Sequence, residues 1–267
     1  MFIRTGDLWR FGVRAVDGEI GRIHDLQVDD RRWAVRDIVV DVGHWLTGHL
    51  VLIRPAVVVK PDRDHQTIHV ALTAEQIADA PSIETHPPVA RQSSVEPYHY
   101  LGLRLLLSGL EPWSPAFALA ELPEAESSRL RQFDPHLRSL RALSCYGIEA
   151  SDGDAGHVED WLVDVETWRT RYAVVKTAGG RTRRHVLVPV HGLGLISWSA
   201  RVIYADLPRK AIIRAPEYEP ASLPDADYEF RLDGWYRRSS CGGHATRRPS
   251  TSAIPRAFTG TGDLGSG

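Results

Sequence analysis

Disulfide bonding, secretion and membrane insertion each leave sequence signals that this chain lacks. Only two cysteines, Cys145 and Cys241, occur in 267 residues, which gives no disulfide framework and no four-ligand zinc spacing and favours a reducing, cytoplasmic location. Charged residues interrupt the stretch from Met1 to Phe11, where a signal peptide would be apolar, and no uncharged run approaches the roughly 18 apolar residues of a membrane span. The sequence therefore predicts a non-exported protein without a transmembrane segment.

An excess of charge of one sign is also missing. The 32 lysines and arginines and the 34 aspartates and glutamates give a formal net charge of −2 at pH 7. Proteins that bind nucleic acid through its phosphates normally carry a basic face, so this composition disfavours nucleic acid as a partner. No glycine-rich phosphate loop leads into a predicted helix, and no residue pattern indicates a catalytic centre or a cofactor.

What the sequence does contain is an internal repeat. Residues 8–84 align with residues 143–219 at a constant offset of 135 positions, without a gap. Chance does not hold one register over this length, so the chain contains a duplicated domain. The matched pairs include Asp17 and Asp152, Gly21 and Gly156, Asp25 and Asp160, Trp33 and Trp168, and Val39 and Val174.

The repeated domain has the pattern of an all-β fold. Residues 36–42, 50–53, 56–60 and 67–72 are short, rich in valine and isoleucine, and separated by Gly, Pro or Asp, as expected of strands joined by tight turns. Because closing such a small sheet removes its exposed edges, we predict two small β-barrels in tandem. The predicted structural turn residues, which suit a hairpin followed by a bulge, are Asp17, Gly18, Gly21, Asp152, Gly153 and Gly156.

These residues resemble the PRC-barrel family. The resemblance lies in residues 17–21 (DGEIG) and 33–48 (WAVRDIVVDVGHWLTG), and in residues 152–160 and 168–175 of the second copy. The chain is most similar to bacterial proteins with two tandem PRC-barrel domains, a family named for the cytoplasmic domain of the photosynthetic reaction centre H subunit. The resemblance implies a binding or assembly module, since the family has no shared catalytic constellation.

The repeat also sets the predicted domain boundaries. Residues 1–86 form the first barrel and residues 138–220 the second, with a proline-rich linker over 87–137 and a C-terminal extension over 221–267 that we expect to be disordered after about residue 239. The linker contains an aromatic and apolar stretch too hydrophobic for a solvated tether, which predicts a protein partner or self-association. The predicted partner contacts are Tyr98, Tyr100, Leu103 and Leu105 of this stretch, together with Trp45 of the first barrel.

Paired aspartates admit a metal-binding interpretation. Asp25 and Asp29, with the counterparts Asp160 and Asp164, lie four positions apart in a predicted strand and could hold a divalent cation together with Asp17. We favour the interpretation that they are turn and edge residues.

Histidines admit a similar interpretation in the first copy only. His44, His49, His65 and His69 could serve a metal-dependent enzyme, but at the same offset the second copy has Gly179, Arg184, Ala200 and Tyr204. The duplication therefore preserves no histidine site. Among the remaining candidates, Cys145 is predicted to be a buried structural thiol, and Trp33 and Trp168 to be core or rim aromatics.

The sequence as a whole predicts a non-catalytic protein-binding or assembly adaptor that uses no cofactor. Two alternatives from other classes stay open. One is an RNA- or ribosome-associated factor, and the other is a metal-dependent enzyme that uses the unduplicated histidines.

Overall fold

The computed structural model describes residues 1–43, 50–83, 87–88, 134–178 and 184–240, and it is predominantly β-structure, as the sequence predicts. The first half contains β1 (Phe2–Arg4), α1 (Thr5–Leu8), β2 (Gly12–Arg14), β3 (Glu19–Asp29), β4 (Ala34–Asp41), β5 (Leu50–Ile53), β6 (Val58–Asp62), β7 (Thr67–Val70) and α2 (Ala74–Ala78). The second half contains β8 (Leu137–Ser139), α3 (Leu140–Leu143), β9 (Gly147–Ala150), β10 (Gly153–Asp164), β11 (Arg169–Thr177), β12 (His185–Pro189), β13 (Leu193–Ser197), β14 (Val202–Ala205), α4 (Arg209–Ile213) and α5 (Ala226–Ser240).

The two halves share one pattern of strand pairing. In the first half the pairing order is β6, β7, β2, β3, β4, β5, and in the second it is β13, β14, β9, β10, β11, β12. In each half one pair is parallel, β2 with β7 and β9 with β14, and the others are antiparallel. Equivalent residues of the repeat therefore occupy equivalent places in the sheet.

The halves do not form two separate closed barrels. The described strands belong to one mixed 14-stranded sheet, because the first strand of each half pairs with the other half. Strand β1 lies against β10, with Arg4 opposite Leu162, and β8 lies against β3, with Ser139 opposite Gln27. These two contacts are related by the repeat offset, so the exchange is reciprocal. Sequence periodicity predicts which segments are strands, but it does not specify the half in which a short strand finds its partner.

A second reciprocal contact joins β4 to β11. Ala34 lies opposite Arg169, the amide of Val35 donates to the carbonyl of Trp168, and the amide of Thr170 donates to the carbonyl of Trp33, both at 2.8 Å. An isologous contact of this kind is the signature of two-fold symmetry, here between two copies within one chain. Trp33 and Trp168 are both buried at this junction with φ of 52° and 50°, which confirms their assignment to the core.

Hydrophobic packing crosses the junction as well. A single cluster of buried residues contains Ile3, Leu8 and Phe11 from the first half and Leu140 and Trp161 from the second. Trp33 packs on Trp161, with ring centroids 5.1 Å apart and planes inclined by 32°. Since apolar burial is the largest favourable term in folding, we conclude that the halves stabilise each other through a shared core.

The C-terminal extension contains a helix that the sequence reasoning missed. Helix α5 is 15 residues long and buries Tyr228, Leu232 and Tyr236, which are spaced four apart and so lie on one face. The hydroxyl of Tyr236 donates to the carbonyl of Leu187 in β12 at 2.9 Å, and burial raises the pKa of that hydroxyl well above its ordinary value. The spacing of the three apolar residues was the sequence signal that could have predicted this helix.

Among the described residues, no helix combines the length and the hydrophobicity that a membrane crossing requires.

Candidate functional site

The repeated aspartates Asp25 and Asp160 fasten the two halves together. The carboxylate of Asp25 accepts hydrogen bonds from the hydroxyl of Ser139, from the amide of Arg141 at 3.1 Å and from its neighbour Leu26 at 2.7 Å. Asp160 accepts a similar set: the amides of Gly6 at 3.0 Å and Trp161 at 2.8 Å are the repeat counterparts of those of Arg141 and Leu26, and the hydroxyl comes from Thr5, one position after the counterpart of Ser139. Each aspartate thus satisfies amide groups at the start of the short helix of the opposite half, α3 or α1, that intrahelical bonds leave free. We call this pair of contacts the reciprocal aspartate clasp.

Burial changes the acidity of one member of the clasp. Asp25 is nearly inaccessible to solvent, and burial raises the pKa of its carboxyl above the ordinary value although its hydrogen bonds oppose the shift. Over the interval between the unfolded and folded pKa, the folded protein keeps a proton that the unfolded chain releases. The stability that this proton contributes is therefore present at low pH and is lost as the pH rises through the interval.

We accordingly expect the contribution of Asp25 to the free energy of unfolding to decline as the pH rises above about 4, the pKa of an unperturbed aspartate. The variant Asp25→Asn cannot titrate at this position, so its curve of unfolding free energy against pH should lack this part of the decline. Urea denaturation at closely spaced pH values measures both curves. Parallel curves for the two proteins would show that Asp25 does not titrate differently in the folded state.

The other aspartates of the metal interpretation have structural partners. Asp17 accepts a hydrogen bond from the amide of Ala74 at 2.9 Å at the start of α2, and Asp152 does the same for Arg209 at the start of α4. Asp29 accepts from the amide of Arg31, and Asp164 binds the amino group of Met1, each at 2.8 Å. Within the described ranges, no group of three or more His, Cys, Asp or Glu side chains could hold a metal ion. The turn interpretation is supported by these contacts, but the edge interpretation is wrong for Asp29 and Asp164, because each pairs with a strand on both sides.

The structure describes some of the other residues for which the sequence made predictions. His65 pairs with Asp62 at 3.0 Å, while His44 and His49 lie outside the described residues. Cys145 is exposed and has a φ of 80° just before β9, so the prediction of a buried thiol is wrong. A tight turn with left-handed backbone places this thiol outside the strand that the hydrophobic pattern predicts.

The predicted partner contacts all lie outside the described residues, namely Trp45, Tyr98, Tyr100, Leu103 and Leu105.

Two clefts flank the junction between the halves and are equivalent under the repeat. The first cleft, of about 760 Å³, is lined by residues that include Val35, Arg36, Arg54, Glu166 and Thr167. Each of the three charged side chains named here lies close to a group of opposite charge. Arg36 pairs with Asp134 at 2.5 Å, Arg54 pairs with Asp37 at 3.1 Å, and Glu166 lies 3.4 Å from the amino group of Met1.

The second cleft, of about 500 Å³, has the same backbone setting but different chemistry. Four arginines line it, two from the turn after β3 and two from β11, and no described side chain forms an ion pair with any of them. The exposed ring of Phe230 on α5 lies at its rim and the buried Thr170 on β11 also lines it. We define the arginine cleft as Arg31, Arg32, Arg169, Thr170, Arg171 and Phe230.

Sequence reasoning missed the arginine cleft because its arginines come from segments about 140 positions apart. The sequence also contains a local basic run at 181–185, but within it Arg184 pairs with Glu217 at 3.2 Å and His185 with Glu159 at 2.9 Å. A comparison of the two copies of the repeat could have indicated the arginine cleft. At the repeat offset Ala34 and Val35 correspond to Arg169 and Thr170, and Glu166 corresponds to Arg31, so the copies differ in polarity where the clefts lie.

In comparisons with known proteins, no family model and no curated protein matches this chain.

Proposed function

We propose that this protein is a non-catalytic adaptor built from two PRC-barrel-like units, and that it binds a protein partner at the junction between them. The observation that carries the proposal is the pair of equivalent clefts. They share one backbone arrangement, but one has matched charges and the other presents four unpaired arginines to solvent within the described structure. A duplicated binding surface whose copies have diverged is suited to holding different partners or different segments of one partner.

The interlocked halves support this proposal. Strand exchange and the reciprocal aspartate clasp fix the two clefts relative to each other, so a partner meets a preformed surface. A preformed surface avoids the entropy cost of ordering two tethered modules on binding. We therefore attribute binding to the junction itself, rather than to two independent barrels that a flexible linker brings together.

Capture from the source cell tests the function. The full chain should retain a specific protein, and the variant Phe230→Asp should capture about tenfold less of it, because Phe230 is 81% exposed beside the arginine cleft and an apolar contact would be replaced by a charge. The matched control is Leu195→Asp on β13, where an apolar side chain is 73% exposed but lines neither cleft. Equal capture by both variants would remove the junction from the function. Turnover of a substrate, or recovery of RNA alone, would replace the adaptor with one of the other two classes.

A further inference from the structure

We propose that the arginine cleft binds a short acidic segment of the partner protein, with carboxylates on the arginines and an apolar side chain on Phe230. This inference rests on the adaptor function proposed above and specifies the chemistry of the partner.

The four arginines supply the charge. In the first cleft the two arginines are neutralised by Asp37 and Asp134, whereas no described residue forms an ion pair with those of the arginine cleft. Guanidinium groups bind carboxylates through two parallel hydrogen bonds and lose less hydration than an ammonium group would. Four such groups converging from two chain segments form a site for more than one carboxylate.

Thr170 is a further polar difference between the two clefts. Its side chain is only 1% exposed, and its hydroxyl has no hydrogen-bond partner among the described residues. The fold does not require a hydroxyl at this position, because the equivalent residue of the first cleft is Val35. Because the hydroxyl oxygen of Thr170 is shielded from solvent, a ligand in the cleft would contact the exposed guanidinium groups rather than this hydroxyl.

The opposite wall of the cleft limits what kind of anion fits. Helix α5 contributes Glu229 and Asp233 beside Phe230, and the hydroxyl of Tyr172 donates to Glu229 at 2.8 Å, which raises the pKa of that tyrosine further than burial alone. A nucleic-acid backbone carries a continuous series of phosphates and would be repelled by these carboxylates. A peptide can place its carboxylates on the arginine side and an apolar residue on Phe230, and it can leave neutral groups toward α5. The acidic wall thus favours a protein segment over RNA.

The test uses a fluorescein-labelled peptide, Glu-Phe-Asp-Glu-Phe-Glu, and its amide analogue Gln-Phe-Asn-Gln-Phe-Gln, titrated with the full chain by fluorescence anisotropy. The acidic peptide should bind and the amide analogue should bind at least about tenfold more weakly. The double variant Arg32→Gln with Arg171→Gln should weaken binding of the acidic peptide by about tenfold or more.

The control is Arg14→Gln with Arg22→Gln, which removes the same charge from exposed arginines of a different cleft and should leave binding within about twofold. Equal losses in the two double variants, or equal binding of the amide analogue, would overturn the proposal. Tighter binding of a short single-stranded RNA with the same arginine dependence would also overturn it. If the arginine variant captures the same cellular partner as the unaltered protein, the acidic-segment inference fails and the adaptor function stands. If the peptide binds as expected but no partner is ever captured, the adaptor function fails and the cleft chemistry stands.

Discussion

Replacing Asp25 with alanine should lower the free energy of unfolding by about 3 kcal/mol, because three donors would lose their acceptor inside the protein. Two of these donors, the Ser139 hydroxyl and the Arg141 amide, belong to the opposite half, and the third is the amide of Leu26. The loss is less than the sum of three charged hydrogen bonds, since removing the buried carboxylate also removes the unfavourable desolvation that raises its pKa. Urea denaturation measures the change.

Asp160→Ala is the matched control for that experiment. Asp160 makes equivalent hydrogen bonds but is more accessible to water than Asp25, so water can replace part of what is lost and the cost should be only about 1–2 kcal/mol. Because strand exchange and the shared core still join the halves, each variant should unfold in a single transition. A cost below 1 kcal/mol for Asp25→Ala would mean that the clasp does not stabilise the junction.

Replacing Gly156 with alanine should cost about 3 kcal/mol or more, because the position excludes a side chain on two grounds. Its φ is 134°, and an added Cβ would lie 2.1 Å from the carbonyl oxygen of Lys176 in the neighbouring strand β11. The strand must move or the bulge must open, and either change disturbs the sheet beside the junction. The melting temperature and the unfolding free energy of the purified variant measure the effect.

Substitutions at two further glycines separate the backbone strain of a positive φ from the steric clash of the added Cβ. Gly153 has a φ of 132° but its Cβ would meet only Arg209 Cδ at 3.9 Å, so Gly153→Ala isolates the backbone strain and should cost about 1–2 kcal/mol. A Cβ on Gly18 would meet nothing within 4 Å, so Gly18→Ala should be close to neutral. If all three variants lost the same stability, the close approach of strand β11 would not be the reason for glycine at position 156.

The strands and the turns of this fold were predictable because their causes are local. The segment 50–53 is a strand with those bounds, and the side chains of Thr73 and Gln76 form a capping box at the start of α2. Gly156 occupies a left-handed position beside a register shift, as its place after the hairpin suggests. In each case a few neighbouring residues decide the backbone conformation.

The arrangement of the halves was not predictable because its causes are distant in sequence. Strand β1 has the same local preference whether it pairs with β3 or with β10, and it is held on β10 by contacts distant in sequence, the packing of Ile3 and Leu8 in the shared core and the bonds of Asp160. The same reason explains why Asp25 was interpreted as an edge residue, since its partners on α3 come more than one hundred positions later. The arginine cleft was not predictable for the same reason, because its arginines come from both halves and lie together only after the halves have interlocked.

Cleavage of the connecting chain tests most directly whether the two halves form one interlocked unit. A specific protease site inserted between Leu110 and Glu111 of the full protein allows the chain to be cut after folding. If strand exchange holds the halves together, the two fragments should sediment as one species with the mass of the uncut protein and should unfold in a single transition. Separation into two fragments that each keep their β-sheet circular dichroism would contradict the interlocked arrangement and would restore two independent domains.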